Sequence, residues 1–557
     1  MKKLLLLIVT LATVISCTNQ EKKDSSNPID GYDVVILNGR VMDPETKFDG
    51  IRNVGIKDGR IVSITEDNII GAETIDASGH VVAAGFIDYE QHGLDPFGIK
   101  VNLRDGVTTQ MDFEVGALNI PEWYEKRSGK TQANFGTVAG QEYARMRVHD
   151  SMALEGPDIS MPFALMEHRA KSGEDGHEGW ANDRSTYAQI NEVHSILDEE
   201  LRQGALGIGS LIGYAGIAIV SYEMYTTQKL AGQYGRVTSV HHRFHPSATP
   251  PTEAPIGAKE LIANAMTLNA PLQIHHDNDF GWWENEELLA NARKQGYNVW
   301  ATYYPWIAGS GNYGAAIVNP PIWEDLMNYK YEETIYDPQM DKFVTKEEFL
   351  KLAKEEPGRT LIAYSPPRKK WLPEWTKVEG FIVAGDGMPG TDVNGDFLGW
   401  DGAYKDFAGH PRLAGTHAVV LRVARENGVP LMHSLAQLSY WPAKFMGDTG
   451  LKSMQERGRM QEGMVADIVV FDAKNVTEHA TYKAGTNGLP STGIPYVLVN
   501  GTTVVKDSKV LKDIFPGQPI RFPVEDNGRY QKITEEAWKE QNLIETSPLT
   551  NETLDKK

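Results

Sequence analysis

Short apolar segments that end beside polar or ionisable residues recur through the middle of the chain, and helix-like stretches such as 185–202 separate them. Repeated strand and helix units of this kind predict a parallel sheet, and this many predict a closed (β/α)8 barrel. The carboxyl ends of the strands meet at one mouth of that fold, so we expect their ionisable residues to share a site. The segments are 108–113, 205–208, 237–240, 272–274, 299–303 and 381–384.

Shorter alternating strands lie on both sides of this region. Upstream, two of them run into the turn pairs Asn38-Gly39 and Asp58-Gly59, which are typical of hairpins. Similar strands return far downstream, at 466–472, 496–499 and 503–505. We therefore predict one small β-sandwich that is assembled from both ends of the chain.

These patterns divide the chain into segments. The β-sandwich takes 32–83 and 443–515, and the barrel takes 84–442. Residues 319–375 are rich in charge, proline and aromatic side chains, which predicts an insertion that covers the mouth of the barrel. Residues 516–557 are predicted to form a polar C-terminal tail.

The first residues read as a targeting segment. Two lysines precede an almost wholly apolar run at 4–15, which is too short to span a bilayer, and Cys17 follows Ser16. The pattern resembles a bacterial lipoprotein signal over 1–17, with Cys17 as the lipidated residue; a generic secretory signal is the alternative. Residues 18–31 have the composition of a disordered tether. We expect an exported bacterial lipoprotein of the cell envelope, in the periplasm or at the outer membrane, that contacts the membrane through its N-terminal lipid anchor only.

Composition narrows the function. A chain of 557 residues with 41% apolar residues is globular and too long for one ordinary core. Its net charge of −20 would repel phosphate backbones, so nucleic-acid binding is not expected. A single cysteine excludes an intrachain disulfide.

The segment 85–92 carries a candidate metal motif. It reads Gly-Phe-Ile-Asp-Tyr-Glu-Gln-His, and alternation along a strand places Glu90 and His92 on one face. His241, His276 and Asp386 also follow predicted barrel strands. Imidazole and carboxylate groups that converge on a barrel mouth indicate a divalent metal.

The same segment resembles the Gly-Phe-Ile-Asp-x-His-x-His signature of the amidohydrolase superfamily, with Glu90 at the position of the first histidine. Further motifs occur in the order seen in D-aminoacylases, the N-acyl-D-amino-acid deacylases, and the resemblance extends from about residue 32 to about residue 505. They are Gly204-Ala205-Leu206-Gly207-Ile208, His241-x-Arg243, Leu272-Gln273-Ile274-x-His276, Tyr304-Pro305, Gly385-Asp386-Gly387, His410-Pro411-Arg412 and Gly463-x-x-Ala466-Asp467.

The resemblance implies one or two zinc ions. His241 and His276 would hold the tighter ion, and Asp386 would be the aspartate that follows the eighth strand and transfers the proton. The metal-bridging cysteine of the family is absent, since Val115 stands near its place. Alternation points the side chains of Asp112 and Glu114 the same way, so both are candidates for the bridging ligand. Glu114, one residue before Val115, is favoured, and Asp112 is its rival.

The implied reaction is hydrolysis of the amide bond of a small N-acyl amino acid, with D-configured substrates expected and N-acyl-D-glutamate a subset. A bound metal would polarise the carbonyl and activate water, and Asp386 would carry the proton to the leaving amine. Arg243, Arg368 or Arg412 would bind the substrate carboxylate, and backbone amides, His92 or Tyr214 would stabilise the oxyanion. Arg243 is equally well explained as a structural ion-pair partner.

Three outcomes stay open for the altered histidine position: Glu90 binds a second metal, the second site is empty, or the deacylase activity is lost. Two other functions stay open as well. A cyclic amidase of the hydantoinase or dihydroorotase type shares the barrel, but it usually carries a bridging carbamylated lysine, and no lysine ends the strand here. A non-catalytic ligand-binding lipoprotein with a degraded metal site is the other.

Overall fold

The structure is a computed structural model that describes residues 29–154, 165–243 and 254–544. The predicted signal segment, Cys17 and most of the predicted tether lie outside the described residues. Within the described part of the chain, no helix combines the length and apolar character that crossing a membrane requires.

The described residues form 21 strands and 17 α-helices. The strands are β1 (Ile29–Asp43), β2 (Phe48–Lys57), β3 (Arg60–Thr65), β4 (Ile69–Asp76), β5 (Val81–Ala84), β6 (Phe86–Asp88), β7 (Val107–Ala117), β8 (Asn134–Gly140), β9 (Gly207–Ser210), β10 (Val237–Val240), β11 (Leu272–Ile274), β12 (Val299–Tyr303), β13 (Ala308–Asn312), β14 (Ile335–Asp337), β15 (Lys342–Phe343), β16 (Thr360–Tyr364), β17 (Phe381–Val383), β18 (Ile468–Phe471), β19 (Tyr496–Val499), β20 (Thr502–Lys506) and β21 (Lys509–Val510). The helices are α1 (Pro96–Arg104), α2 (Ile120–Arg127), α3 (Gln141–His149), α4 (Leu165–Ser172), α5 (Gly179–Asn182), α6 (Tyr187–Arg202), α7 (Ser221–Gln233), α8 (Ala254–Leu268), α9 (Trp282–Lys294), α10 (Tyr331–Thr334), α11 (Lys346–Glu355), α12 (Arg368–Trp375), α13 (Arg412–Glu426), α14 (Leu431–Leu435), α15 (Trp441–Gly447), α16 (Lys452–Gln455) and α17 (Glu535–Asn542).

Eight parallel strands form the barrel, in the order β6, β7, β8, β9, β10, β11, β12 and β17. Every residue of these strands is buried, because helices cover the outer face and side chains fill the interior. The predicted fold class is therefore confirmed. Seven of the strands match predicted segments; β8 was not predicted.

The barrel closes between its first and eighth strands through the loops that follow them. No ladder joins β6 to β17; instead, Gln91 pairs with Gly387 in an isolated parallel bridge. The His92 N–H donates to the Gly387 carbonyl at 2.8 Å. Asp88 completes the seam, since its Oδ1 accepts from the Gly385 N–H at 3.0 Å. The same bonds fix the backbone on which His92 and Asp386 stand.

A second sheet combines the two ends of the chain. Its nine strands run in the order β21, β20, β19, β18, β5, β1, β2 and β3, and β4 pairs with β1. The central joint is the antiparallel pairing of β18 with β5, in which Val470 lies opposite Val82. Segments nearly 400 residues apart in sequence thus share one buried core.

The insertion builds a small sheet of its own. Its strands are antiparallel, in the order β13, β16, β14 and β15, and they pack on a core that includes Tyr331 and Phe349. The sheet begins at Ala308, which is earlier than the predicted boundary at residue 319. Helix α12 brings the insertion back to the mouth of the barrel at Arg368.

The C-terminal segment is only partly the polar tail that its composition predicts. Ile520 is fully buried, and its backbone N–H donates to the Phe135 carbonyl on β8. Tyr530 stacks on His194 of α6 with ring centroids 5.6 Å apart. Helix α17, by contrast, has no buried residue. The segment from 516 to about 533 therefore packs on the outside of the barrel.

Candidate metal centre

Three side chains at the barrel mouth converge on one point. Glu114 lies near the end of β7, and His241 and His276 follow β10 and β11. Glu114 Oε1 stands 3.0 Å from His241 Nδ1 and 3.4 Å from His276 Nε2. The two ring nitrogens are 3.1 Å apart. The three residues are buried or nearly so, and their donor atoms point at one another.

This spacing matches a metal site. Ligand atoms that bind zinc tetrahedrally at about 2.0–2.1 Å stand about 3.3 Å from one another. The three observed separations, between 3.0 and 3.4 Å, surround that value. One carboxylate and two imidazoles are also a common zinc donor set. The residues therefore fit a divalent ion.

A second group of three shares Glu114. His92 Nε2 stands 3.4 Å from Glu114 Oε2 and 3.5 Å from Asp386 Oδ1. All three residues are buried, and their ligand atoms lie close enough to hold an ion. The two oxygens of Glu114 face different groups, with Oε1 toward the histidine pair and Oε2 toward His92. This is the placement of a bridging carboxylate.

Asp112 supports the site from behind. Its Oδ1 accepts the backbone N–H groups of Glu114, Val115 and Gly116, where the register between β7 and β8 shifts. Its Oδ2 lies 3.2 Å from His92 Nδ1, which leaves Nε2 to face the centre. A carboxylate behind a metal-binding imidazole fixes the ring and raises its basicity. Asp112 thus orients the His92 ring, whereas Glu114 is the carboxylate that the two groups of three share.

Asp386 is tied to a cation. Its Oδ2 stands 2.7 Å from Nη1 of Arg412, which begins α13, and its Oδ1 faces His92. Asp386 has a backbone φ of 52° and His276 a backbone φ of 27°, and residues other than glycine rarely adopt such values. Strained backbone of this kind concentrates at active sites.

Charge balance at the centre favours a cation. Burial alone would lower the pKa of His276, but the carboxylates of Glu114, Asp386 and Glu90 together outweigh burial and raise that pKa to about 9. Burial also opposes protonation of His92, yet Asp112 raises its pKa well above the usual value. Burial would raise the pKa of Asp386, but Arg412 brings it below the ordinary value. Burial would likewise raise the pKa of Glu114, but His276 and His241 hold it well below the usual value, so Glu114 and Asp386 stay ionised and stabilise positive charge between them.

Glu90 lies below the centre and belongs to neither group of three. It is fully buried, and its Oε1 receives hydrogen bonds from His275 Nδ1 at 2.5 Å and from the Thr302 hydroxyl. Glu90, the residue at the altered histidine position, thus has its side chain in the barrel interior.

The predicted substrate-binding residues have different surroundings. The ring of Tyr214 lies 4.7 Å from that of His241, at the mouth. Arg368 forms a two-pronged ion pair with Asp279 at 2.7 and 2.9 Å and donates to the Tyr304 hydroxyl. Arg243 forms an ion pair with Glu260 at 2.7 Å, which is the structural role that the sequence also allowed for this residue. Arg412 is the predicted arginine that contacts a residue of the centre.

Two groups in the site carried no clear signal in the sequence. His275 precedes His276, and alternation places it on the same face as Gln273, in the barrel interior. Alternation does not identify Glu90 as its partner. Thr302 lies within an apolar strand and has no distinguishing neighbour. Only the three-dimensional arrangement connects these residues to Glu90.

Known proteins similar to this chain include deacylases. No protein-family model matches the chain. An N-acyl-D-aspartate deacylase of Alcaligenes xylosoxydans xylosoxydans is 34% identical over 490 residues, which cover 81% of this chain and 88% of that protein. An N-acyl-D-glutamate deacylase of the same organism is 26% identical over 501 residues, covering 85% and 93%.

Solved structures share the fold. The zinc-containing N-acyl-D-glutamate deacylase of Bordetella bronchiseptica, complexed with a phosphonate mimic of the tetrahedral intermediate, has a TM-score of 0.67 at 21% identity, covering 88% of this chain and all of that one. A D-hydantoinase is less similar, with a TM-score of 0.55 at 18% identity over 89% of this chain and all of its own. Extensive identity to a deacylase and the shared barrel lead to one assignment: the chain belongs to the N-acyl-D-amino-acid deacylase family of the amidohydrolase superfamily.

Proposed function

We propose that the protein is a zinc-dependent hydrolase that removes the acyl group from N-acyl-D-amino acids. The observation that carries the proposal is the position of Glu114, whose two oxygens face two groups of metal-ligating side chains at the barrel mouth. The deacylase relatives, which act on N-acylated D-aspartate and D-glutamate, support the substrate class.

The residues divide the work of amide hydrolysis. Glu114, His241 and His276 would hold one ion, and His92, Glu114 and Asp386 offer a second position. When bound there, zinc supplies Lewis acidity toward an amide carbonyl and lowers the pKa of water. Asp112 keeps the His92 ring in place for this function.

Asp386 carries the proton. Arg412 keeps the Asp386 carboxylate ionised, so its Oδ1 can accept the proton of the attacking water. The same oxygen then gives the proton to the departing nitrogen, because an amine cannot leave as an anion. Arg412 has further N–H groups and lies over the Tyr304 ring at 5.1 Å, a position from which it can bind the free carboxylate of the substrate.

A matched substrate panel tests the proposal. N-acetyl-D- and N-acetyl-L-forms of aspartate, glutamate, leucine and methionine are assayed with zinc, with a chelator, and after zinc is restored. We expect hydrolysis of D-forms only, loss of activity with the chelator and recovery with zinc. Turnover of L-forms alone would contradict the proposal, and a metal-free, inert protein would favour a ligand-binding lipoprotein instead.

Two aspartates in one loop provide the variant and its control. Asp386→Asn should lower kcat by about 10²–10⁴-fold, the usual contribution of a positioned acid or base. Asp392→Asn should leave kcat unchanged, because the Asp392 carboxylate accepts hydrogen bonds only within its own turn, from the backbone N–H groups of Asn394 and Asp396 at 2.8 and 3.0 Å and from Asn394 Nδ2 at 3.3 Å. Equal effects in the two variants would remove Asp386 from the mechanism.

We further propose that the enzyme is an exported lipoprotein anchored at Cys17. The support is the order of charged, apolar and small residues before that cysteine in the sequence. Metabolic labelling with a fatty acid should mark the wild type, which should sediment with membranes. Cys17→Ala should lose the label. A wild type that carries no label would defeat this part of the proposal.

A further inference from the structure

Glu90 makes all its side-chain hydrogen bonds through one oxygen. Its Oε1 accepts from His275 Nδ1 at 2.5 Å and from the Thr302 hydroxyl, and Gln273 Nε2 lies 3.4 Å away. The residue is fully buried. A buried carboxylate needs such partners, because burial without them costs several kcal/mol (about 2–7) even for a neutral polar group.

One route leads from this oxygen to His276. The Thr302 hydroxyl donates to Glu90, and the same Oγ1 accepts the backbone N–H of His276 at 2.8 Å. His275, a further partner of Glu90, directly precedes His276 in the chain. His276 stands at a φ of 27°, which the chain holds only where the surroundings enforce it. Glu90 thus restrains a strained metal ligand from below.

Another route leads to the other two ligands. His275 Nε2 stands 2.7 Å from Ser239 Oγ and 3.2 Å from the Phe113 carbonyl. The Ser239 hydroxyl also donates to that carbonyl. Phe113 immediately precedes Glu114, and Ser239 lies two residues before His241. The network therefore connects Glu90 to the strands that carry Glu114, His241 and His276.

We propose that Glu90 is a positioning residue for the metal centre, which sets the geometry of Glu114, His241 and His276 without ligating metal itself. The proposal rests on the metal-dependent function proposed above. It gives the altered histidine position a different role: a carboxylate below the centre orients three ligands at once. Glu90 Oε2 has no hydrogen-bond partner among the described residues, so ligation through that atom is the alternative that an experiment must separate.

Metal affinity and metal stoichiometry distinguish the two roles. Loss of a group that supports metal ligands typically weakens metal binding by about 10–100-fold and leaves the number of ions unchanged. Loss of a ligand removes an ion. Zinc content is therefore measured by mass spectrometry at saturating zinc, and zinc affinity by competition with a chromophoric chelator.

Three variants carry the test. Glu90→Ala should bind zinc 10–100-fold more weakly at unchanged stoichiometry, as expected for a supporting group. Glu90→Gln keeps an acceptor at Oε1 and should retain most of the affinity. Glu200→Ala is the control, since Glu200 is a buried carboxylate that only accepts the Asn119 and Ile120 N–H groups at 2.9 Å. It should keep the affinity of the wild type.

Two outcomes would overturn the proposal. A loss of one zinc equivalent in Glu90→Ala and Glu90→Gln makes Glu90 a ligand, and an unchanged affinity in Glu90→Ala makes it structural only. Should Glu90→Ala fail to fold, Thr302→Val removes the hydroxyl that links Glu90 to the His276 N–H, and it should weaken zinc binding at unchanged stoichiometry. An unchanged zinc affinity in Thr302→Val would count against the network. These readouts need no substrate, so they stand even if the deacylase assay fails.

Discussion

At the scale of single residues, the centre depends on close approaches that only certain side chains allow. Gly213 follows β9, and a Cβ added there would lie 2.3 Å from His241 Cδ2. The backbone of this loop thus passes directly against the ring of a candidate ligand. Glycine at this position leaves the room in which His241 turns its Nδ1 toward Glu114.

Gly213→Ala should therefore displace His241. We expect weaker zinc binding and at least about a 10-fold loss of kcat/KM, in the range found for groups that hold metal ligands in place. Gly216→Ala is the matched control, because its added Cβ would stand 3.5 Å from the nearest atom, the Ile212 carbonyl oxygen. Zinc titration and kinetics of both variants check this. Equal behaviour of the two alanines would show that His241 has room to move.

Alternation along the strands predicted that Glu90 and His92 share one face and that Asp112 and Glu114 share another, because side chains two apart lie on the same side of a strand. It could not separate Glu114 from Asp112. The two carboxylates differ because of the register shift beyond Asp112, where Asp112 Oδ1 accepts three backbone N–H groups of the irregular segment. The direction of Glu90 was equally hidden, because it depends on His275 and Thr302 from two other strands.

At the scale of elements, the seam between β6 and β17 is the junction of the barrel wall that no strand ladder crosses. Asp88 compensates with a fully buried carboxylate. Its Oδ1 accepts from Glu90 N and Gly385 N at 3.0 Å, and its Oδ2 accepts from Gln91 Nε2 at 2.6 Å. An amide at this position would set a donor against other donors.

Asp88→Asn should lower the free energy of unfolding by about 1–3 kcal/mol, the cost of leaving a buried polar group unsatisfied. Urea denaturation measures the change. Asp76→Asn is the comparison, because Asp76 is exposed and accepts from Ser78 on the surface; its cost should be smaller. A seam that tolerated the amide as well as the surface does would mean that other contacts close the barrel.

Helix α6 contains a histidine that ties stability to pH. His194 is buried, with Nδ1 against the Ile190 carbonyl and Nε2 against the Thr227 hydroxyl, and burial lowers its pKa to about 4. The unfolded chain takes up this proton near pH 6.5, so between pH 6.5 and 4 it binds more protons than the folded chain. Stability should therefore fall as the pH falls through this window.

The loss due to His194 alone is at most about 3 kcal/mol. Unfolding by urea at pH 7, 5.5 and 4.5 measures the slope, and His194→Gln should flatten part of it because glutamine does not titrate. A slope that is unchanged in the variant would assign the pH dependence to other groups.

At the scale of the whole molecule, the barrel and the composite sheet were predictable because turn residues or polar residues mark the ends of their strands. Residues 54–56 before Asp58-Gly59 already identify a hairpin, and the pairing of β18 with β5 explains why matching strands lie at both ends. Strand β8 escaped prediction, since Gly136, Thr137 and Ala139 dilute its apolar pattern. Its burial comes from neighbouring strands, which a local pattern does not contain.

The segment after the composite sheet was predicted from composition as one polar tail, yet contacts divide it in two. Its first part buries Ile520 and most of Phe522 and receives the Tyr124 hydroxyl on the Ile520 carbonyl at 2.6 Å. Its second part begins near α17, which buries nothing. The first part therefore acts as a strap along the outside of the barrel.

Two truncations should separate these parts. A chain that ends at Ile533 loses α17 and should keep the melting temperature and zinc affinity of the full chain. A chain that ends at Pro516 also loses Ile520, Phe522 and Tyr530. It should be less stable by at least about 2–5 kcal/mol, since deleting one large buried side chain already costs that much. Thermal unfolding of both chains measures the difference. Equal stability would mean that the strap contributes nothing to the fold, whereas a large loss at Ile533 would place stabilising contacts beyond the strap.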